Sequence, residues 1–445
     1  MIRADPDPAD PEAAMHLTRR FFLQSTGVLS AYLGVAPLEL LRAEGDAAIA
    51  RPVTRGRTLV VIFLRGGADG LNLVVPHGDP AYYQLRRTLA VPAPRRGPDS
   101  VVSLDGFFGL HPRLAPLLPH FLSGNAVATH AVGYDQNTRS HFEEQDVWET
   151  GVIGNTVNSD GWLNRHLATS TGHGSIRALA VGDTLPRILQ GRAPSFALRG
   201  LEDLTLPRDG ALAPETVAAA LEHAYCTPPP AHRTAARDLL AQSGAVTLDG
   251  MARVRDLLAK SAPSTVEFPD TRLGRQLQQV AQLIKADVGL EVAEVDYGGW
   301  DTHQNQGGGA GGMFGELVGQ MADALAAFMA DLESRLDDVL VVTLTDFGRT
   351  AAENGTGGTD HGWANAMLVL GGGVKRAQTS HPDGERPVIA NWPGLAPDQL
   401  HEGRDLLHTI DFRDVLGELV RVHLGNPNLT AVLPGHEFKP VGLVG

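Results

Sequence analysis

The run Thr58 to Leu64 (TLVVIFL) is apolar and mostly β-branched at successive positions, and it stops at Arg65-Gly66-Gly67. A strand with one wet face would alternate apolar and polar residues. An unbroken run instead belongs to a strand buried on both faces, as in a parallel sheet covered by helices. Ala126 to Val132 (AVATHAV) and Val339 to Thr345 (VLVVTLT) share this character, with shorter candidates at Arg177 to Val181, Leu290 to Val295 and Met367 to Leu370.

Helical patterns lie between these runs. Met313 to Leu336 places Phe314, Leu317, Val318, Met321, Leu325, Phe328, Met329 and Leu332 on one stripe at three- and four-residue spacing. Asp411 to Leu424 does the same with Phe412, Val415, Leu416, Leu419 and Val420 behind an Asp cap. Both stripes read as core packing. Strands alternating with helices predict an α/β fold, a mostly parallel central sheet flanked by helices. Residues 51–445 read as one such unit, with a helical insertion at about 211–284 that is broken at Pro228-Pro229-Pro230.

The first fifty residues are different. Thr18-Arg19-Arg20-Phe21-Phe22-Leu23-Gln24 precedes a moderately apolar stretch, Ser25 to Leu41. Paired arginines followed by Phe-Leu and a short apolar region read as a twin-arginine export signal, which predicts engagement of the twin-arginine translocase and a periplasmic or extracellular protein. The stretch is too short and too rich in Gly and Ser for a membrane span. Residues 43–50 offer small side chains for cleavage but no sharp site. The single cysteine, Cys226, permits no intramolecular disulfide, which suits a chain folded in a reducing cytoplasm before export. With a net charge of −14 and no Lys/Arg run, nothing here provides the basic face of a nucleic-acid binder.

Polar clusters fall next to the strand candidates, where open parallel sheets gather their functional groups. They are Gly66-Gly67-Ala68-Asp69-Gly70, Gly298-Gly299-Trp300-Asp301-Thr302-His303, Asp346-Phe347-Gly348-Arg349 and Gly358-Thr359-Asp360-His361-Gly362-Trp363-Ala364-Asn365. Asp and His together are ligands for zinc and similar divalent ions. The paired glycines before Asp301 would let the backbone turn so that Asp301 and His303 converge. A further cluster, Asp135 to Gly151, reads as a polar loop opening a helix. There Ser140 is either a functional group at the positive helix end or a plain cap, boxed by Glu143. No Gly-x-Gly-x-x-Gly follows the first strand, which leaves a dinucleotide enzyme without its fingerprint.

In this order the clusters resemble the alkaline phosphatase superfamily, which includes phosphodiesterases and sulfatases. Over nearly its whole length the chain resembles an uncharacterised family of twin-arginine-exported bacterial proteins, catalogued as a domain of unknown function and placed beside that superfamily. The resemblance implies one metal set of Asp69, Asp346 and the Ser140/His141 region, and a second of Asp301, His303 and His361, with His141 or Asp360 as the substitute for a missing histidine. It implies one or two divalent ions, zinc by preference. Ser140 or His141 would stand at the nucleophile position, and Arg139 or Arg349 would hold the nonbridging oxygens. Phe347 departs from the pattern, because the superfamily places a metal-binding histidine there. Cys226-Thr227-Pro228 has the first half of a Cys-x-Pro-x-Arg conversion motif but no arginine, so sulfatase chemistry is not expected. The expected function is an exported metal-dependent hydrolase of phosphate or sulfate esters, acting by in-line displacement on a small or polymeric anionic ester. The alternative is an exported non-catalytic metal- or ligand-binding protein with a degenerate hydrolase site.

Overall fold

A computed structural model describes residues 56–154, 159–172, 176–201, 254–261, 263–375, 377–378 and 385–445. The stretch read as an export signal, Cys226, the proline break and most of the expected insertion lie outside the described residues. Of that insertion, the described part includes a helix at Arg272–Lys285. No helix among the described residues is long and apolar enough to cross a membrane.

The centre is a nine-stranded sheet. Its strands are β1 (Thr58–Arg65), β2 (Ala126–Gly133), β3 (Ala178–Val181), β4 (Phe196–Leu198), β5 (Val292–Gly298), β6 (Val339–Thr345), β7 (Asn365–Gly371), β8 (Val388–Ile389) and β9 (Ile410–Asp411). The order across the sheet is β8-β2-β7-β6-β1-β5-β3-β4, and β9 also pairs with β2. All pairings are parallel except those of β7, which runs antiparallel to both β2 and β6. The mostly parallel α/β architecture expected from the runs is therefore present, with one reversed strand inside it. The reversal has a local cause. Residues 346–364 between β6 and β7 contain no helix and never cross back along the sheet, so the chain re-enters beside β6 from the end where it left.

Alternate residues of β1 feed two separate cores. Val60, Ile62 and Leu64 pack on one face with helices α3 (Arg272–Lys285) and α4 (Gly312–Leu332), through Leu277, Val318 and Phe328. Leu59, Val61 and Phe63 pack on the other with α1 (His141–Thr150), α2 (Trp162–Thr169) and α5 (Phe412–Glu418), through Trp148, Leu163 and Val415. This double burial is what the unbroken apolar run required. The stripe read over Met313 to Leu336 ends its α-helix at Leu332 and continues as a 3-10 turn to Asp338. Asp411 caps α5 as expected, its side chain accepting from the Arg413 amide.

Candidate metal centre

Because β7 alone is reversed, the loops after β1, β2, β5 and β6 and the loop before β7 all meet at one end of the sheet. Two glycines make their approach possible. Gly66 has φ +119°, and a Cβ there would sit 2.6 Å from the Asp301 amide nitrogen, so the β1 turn can lie directly against the Asp301 backbone. Gly299 has φ +103°, which supplies the turn that brings Asp301 and His303 together.

Three imidazoles converge there, and each is held from behind. Nδ1 of His141 lies 2.5 Å from Oδ2 of Asp346, Nδ1 of His303 lies 2.9 Å from Oδ1 of Asp360, and Nδ1 of His361 lies 2.9 Å from the Arg139 carbonyl oxygen. Three acceptors facing Nδ1 assign the ring proton to that side and leave a lone pair on each Nε2. The Nε2 atoms of His141, His303 and His361 stand 3.5, 3.1 and 3.2 Å from one oxygen, Oδ1 of Asp301. Those of His303 and His361 are 2.9 Å apart, and that of His141 is buried with no hydrogen-bond partner. Ligands at about 2.0–2.1 Å from a tetrahedral zinc ion stand about 3.3 Å from one another. One ligand atom each of His141, Asp301 and His361 lie within 4.8 Å of one another, close enough to hold such an ion, and His303 stands beside them with its Nε2 2.9 Å from that of His361.

The electrostatics are consistent with a donor set. The Asp346 hydrogen bond raises the pKa of His141 above its ordinary value, against the effect of burial. Burial lowers that of His361. Burial would also raise the Asp301 carboxyl, but the Arg349 hydrogen bond and charge outweigh it and hold that carboxyl below its usual range. The bond from His303 does the same for Asp360. Phe347, fully buried, closes one side of the cluster, its ring centroid 4.7 Å from those of both His141 and His361. It stands as an apolar wall where the resemblance implied a ligand.

The structure thus brings together His141, Asp301, His303, Asp346, Asp360 and His361. It does not add Asp69 to them. Oδ2 of Asp69 is held by Arg86 Nη1 at 2.6 Å and by Gln306 Nε2 at 2.5 Å, in a buried ion pair beside the cluster. That guanidinium neutralises the carboxylate through one oxygen, while Oδ1 of Asp69 is buried with no hydrogen-bond partner among the described residues. Arg349 is corrected as well. Its side chain is buried and donates to the carbonyls of Gly67 (2.6 Å), Thr359 (3.0 Å), Gly66 (2.5 Å) and Trp300 (2.9 Å) and to Oδ1 of Asp301 (2.7 Å), so it ties the loops together instead of facing a substrate. Arg139 pairs with Glu402 and Asp405, both at 2.7 Å.

Ser140 occupies the N-cap position of α1, but its side chain makes no cap bond, so the Ser140–Glu143 box does not form. Glu144 reaches back instead, accepting from the Thr138 amide (2.7 Å) and hydroxyl (3.0 Å). Two contributors escaped the sequence reading. Gln145 donates to Oδ2 of Asp346 at 3.1 Å, and its place one turn after His141 was the available signal. Asn354 donates to Oδ1 of Asp360 (3.1 Å) and to the His303 carbonyl (2.9 Å), and no pattern pointed to it. A cleft of about 250 Å³ opens beside Asp360, lined by Leu85, Glu353, Asn354, Leu400 and Arg404 among others.

Fold and site together define an α/β protein with a three-histidine, one-aspartate cluster at the strand ends. Residues 121–425 match the family described as "Protein of unknown function (DUF1501)", and the chain belongs to that family. Among solved structures it is similar to the PsFucS1 sulfatase from Pseudoalteromonas sp., with 11% identity, 83% of this chain and 67% of that chain covered, and a TM-score of 0.30. No curated protein matches it.

Proposed function

We propose that this chain is an exported metal-dependent hydrolase of phosphate or sulfate esters. One divalent ion, zinc by the donor chemistry, would be held by His141, His361 and Asp301, with His303 beside them as a further donor. The observation that carries this reading is the set of three rings tied back through Nδ1 so that three lone pairs meet at Asp301. A structural cluster of histidines would give each Nε2 its own acceptor, whereas here all three face one carboxylate oxygen and those of His303 and His361 face each other.

A divalent ion at that point supplies Lewis acidity to an ester oxygen. The chain's own groups do the rest. Arg349 keeps Asp301 ionised and in place, Asp346 and Asp360 orient His141 and His303, and Phe347 keeps water from one side. The cleft beside Asp360 takes the alcohol portion of the ester. With His141 turned into the cluster, Ser140 is the hydroxyl left at the nucleophile position, its oxygen free of any capping role.

The test is metal content of the purified chain followed by a panel of phosphate and sulfate esters. About one equivalent of metal and turnover that disappears in Asp301→Ala and His361→Ala are expected. Full turnover in both variants sinks the proposal, and metal without turnover on any ester returns the binding-protein reading. Export rests on Arg19-Arg20 and is checked separately, since replacing both with Lys should retain the protein in the cytoplasm.

A further inference from the structure

The charges around the cluster narrow the substrate class of the proposed reaction. Four guanidinium groups surround the cluster; three are fully paired and the fourth, Arg404, is held by one hydrogen bond. Arg349 is buried on four carbonyls and Asp301. Arg86 is buried on Asp69. Arg139 gives Nη2 to Glu402 and Asp405, each at 2.7 Å, and Nε to Asp405 at 3.0 Å. Arg404, the one basic side chain lining the cleft, donates Nη2 to the His361 carbonyl at 2.7 Å and has Nη1 3.6 Å from Asp405. Among the described residues no other Lys or Arg hydrogen-bonds to the cluster or lines that cleft.

Three carboxylates, Asp301, Asp346 and Asp360, lie within the cluster itself. With a divalent ion bound, its charge and that of Arg349 would be balanced by these three, leaving the centre near neutral. A phosphate monoester brings two negative charges to the reacting group, and recognition of such a dianion needs free guanidinium forks or further cations. A singly charged group needs neither.

We infer that the group cleaved carries one negative charge, as in a phosphate diester or a sulfate monoester, and that phosphate monoester dianions are poor substrates. This rests on the hydrolase reading and sharpens it. The second substituent of a diester, or the alcohol of a sulfate ester, would lie in the cleft between Leu85, Leu400 and Arg404.

The test uses the full metal-loaded chain. Metal uptake is first measured by calorimetric titration, and its absence overturns the hydrolase reading and this inference with it. Dimethyl phosphate and methyl phosphate are then titrated at mildly alkaline pH, where the second is a dianion. Binding of dimethyl phosphate about tenfold tighter is expected. Equal or reversed affinities, or binding of neither, overturn the inference while leaving the metal site standing. Hydrolysis of bis-p-nitrophenyl phosphate and of p-nitrophenyl sulfate is compared with that of p-nitrophenyl phosphate, and the two arms distinguish the diester from the sulfate ester. A monoester rate equal to or above both overturns it.

A gain-of-function variant tests the cause. Glu402→Gln with Asp405→Asn releases Arg139, and methyl phosphate affinity should rise about tenfold relative to dimethyl phosphate. Glu402→Gln alone changes an exposed residue and serves if the double variant does not fold; a ratio unmoved in it counts against the inference.

Discussion

Oδ2 of Asp346 lies 2.5 Å from Nδ1 of His141, and the same oxygen accepts from the Gly66 amide (3.2 Å) and from Gln145 (3.1 Å). The carboxylate therefore orients the ring and is itself fixed by the turn after β1 and by the second turn of α1. Asp346→Asn should weaken metal binding by about 10–100-fold, as loss of an outer partner of a ligating histidine does. Gln145→Ala should lower it less. Competition with a chelator of known affinity measures both, and an unchanged affinity in Asp346→Asn would remove that residue from the centre.

Arg349 joins four carbonyls and Asp301 with one buried side chain. Arg349→Met leaves those acceptors without a donor and the carboxylate without its cation, at a cost of about 3–5 kcal/mol in urea unfolding. Arg349→Lys should recover little, because a single ammonium cannot reproduce the planar fork. A loss below 1 kcal/mol, within about the range of surface substitutions, would mean that the loops hold without it.

The Asp69–Arg86 pair makes a contrasting case. Arg86→Met alone strands a buried carboxylate and should cost about 3–5 kcal/mol, whereas Arg86→Met with Asp69→Leu should cost less than the single change. Asp69→Asn should leave the metal stoichiometry of the chain unaltered. A loss of bound metal in that variant would restore Asp69 to the ligand set.

Three histidines away from the cluster set an acid limit. His111, His130 and His423 are buried, and burial lowers each to about 4 from the ordinary 6.5. Their folded-state values lie below the unfolded ones, so the unfolded chain binds protons more readily between the two. The stabilisation is therefore fully present above pH 6.5 and is lost as pH falls through about 4. Urea midpoints should decline across that window. His130→Gln should flatten the decline, and an identical slope in the variant would exclude His130 as a contributor.

Six of the nine strands of the central sheet were legible because burial on both faces leaves an apolar run, whereas Phe196–Leu198, Val388–Ile389 and Ile410–Asp411 are too short to leave one. The six clustered Asp and His residues were legible because each follows or precedes such a run within a few positions. The direction of β7 was not, since Met367 to Leu370 looks the same whichever way it lies against β6. Only the length and helix-free character of residues 346–364 hold that information. The fate of Asp69 was equally hidden. Its partner Arg86 follows by seventeen positions in an unremarkable stretch, and no local pattern says which cation a carboxylate meets. Arg349 and Arg139 carry the same lesson, because a guanidinium near a strand end can serve a ligand or the backbone, and long-range packing decides between them.

The reversed β7 has one more consequence. Residues 346–364 leave the sheet at β6 and rejoin it at the neighbouring strand, and Arg349 and His361 pair across the loop through a backbone bridge. The segment is thus pinned at both feet and crossed at its middle. Inserting or deleting one residue there cannot be absorbed by drift of a loose end, and the error would pass straight into the aim of His361. The loop therefore has a fixed length.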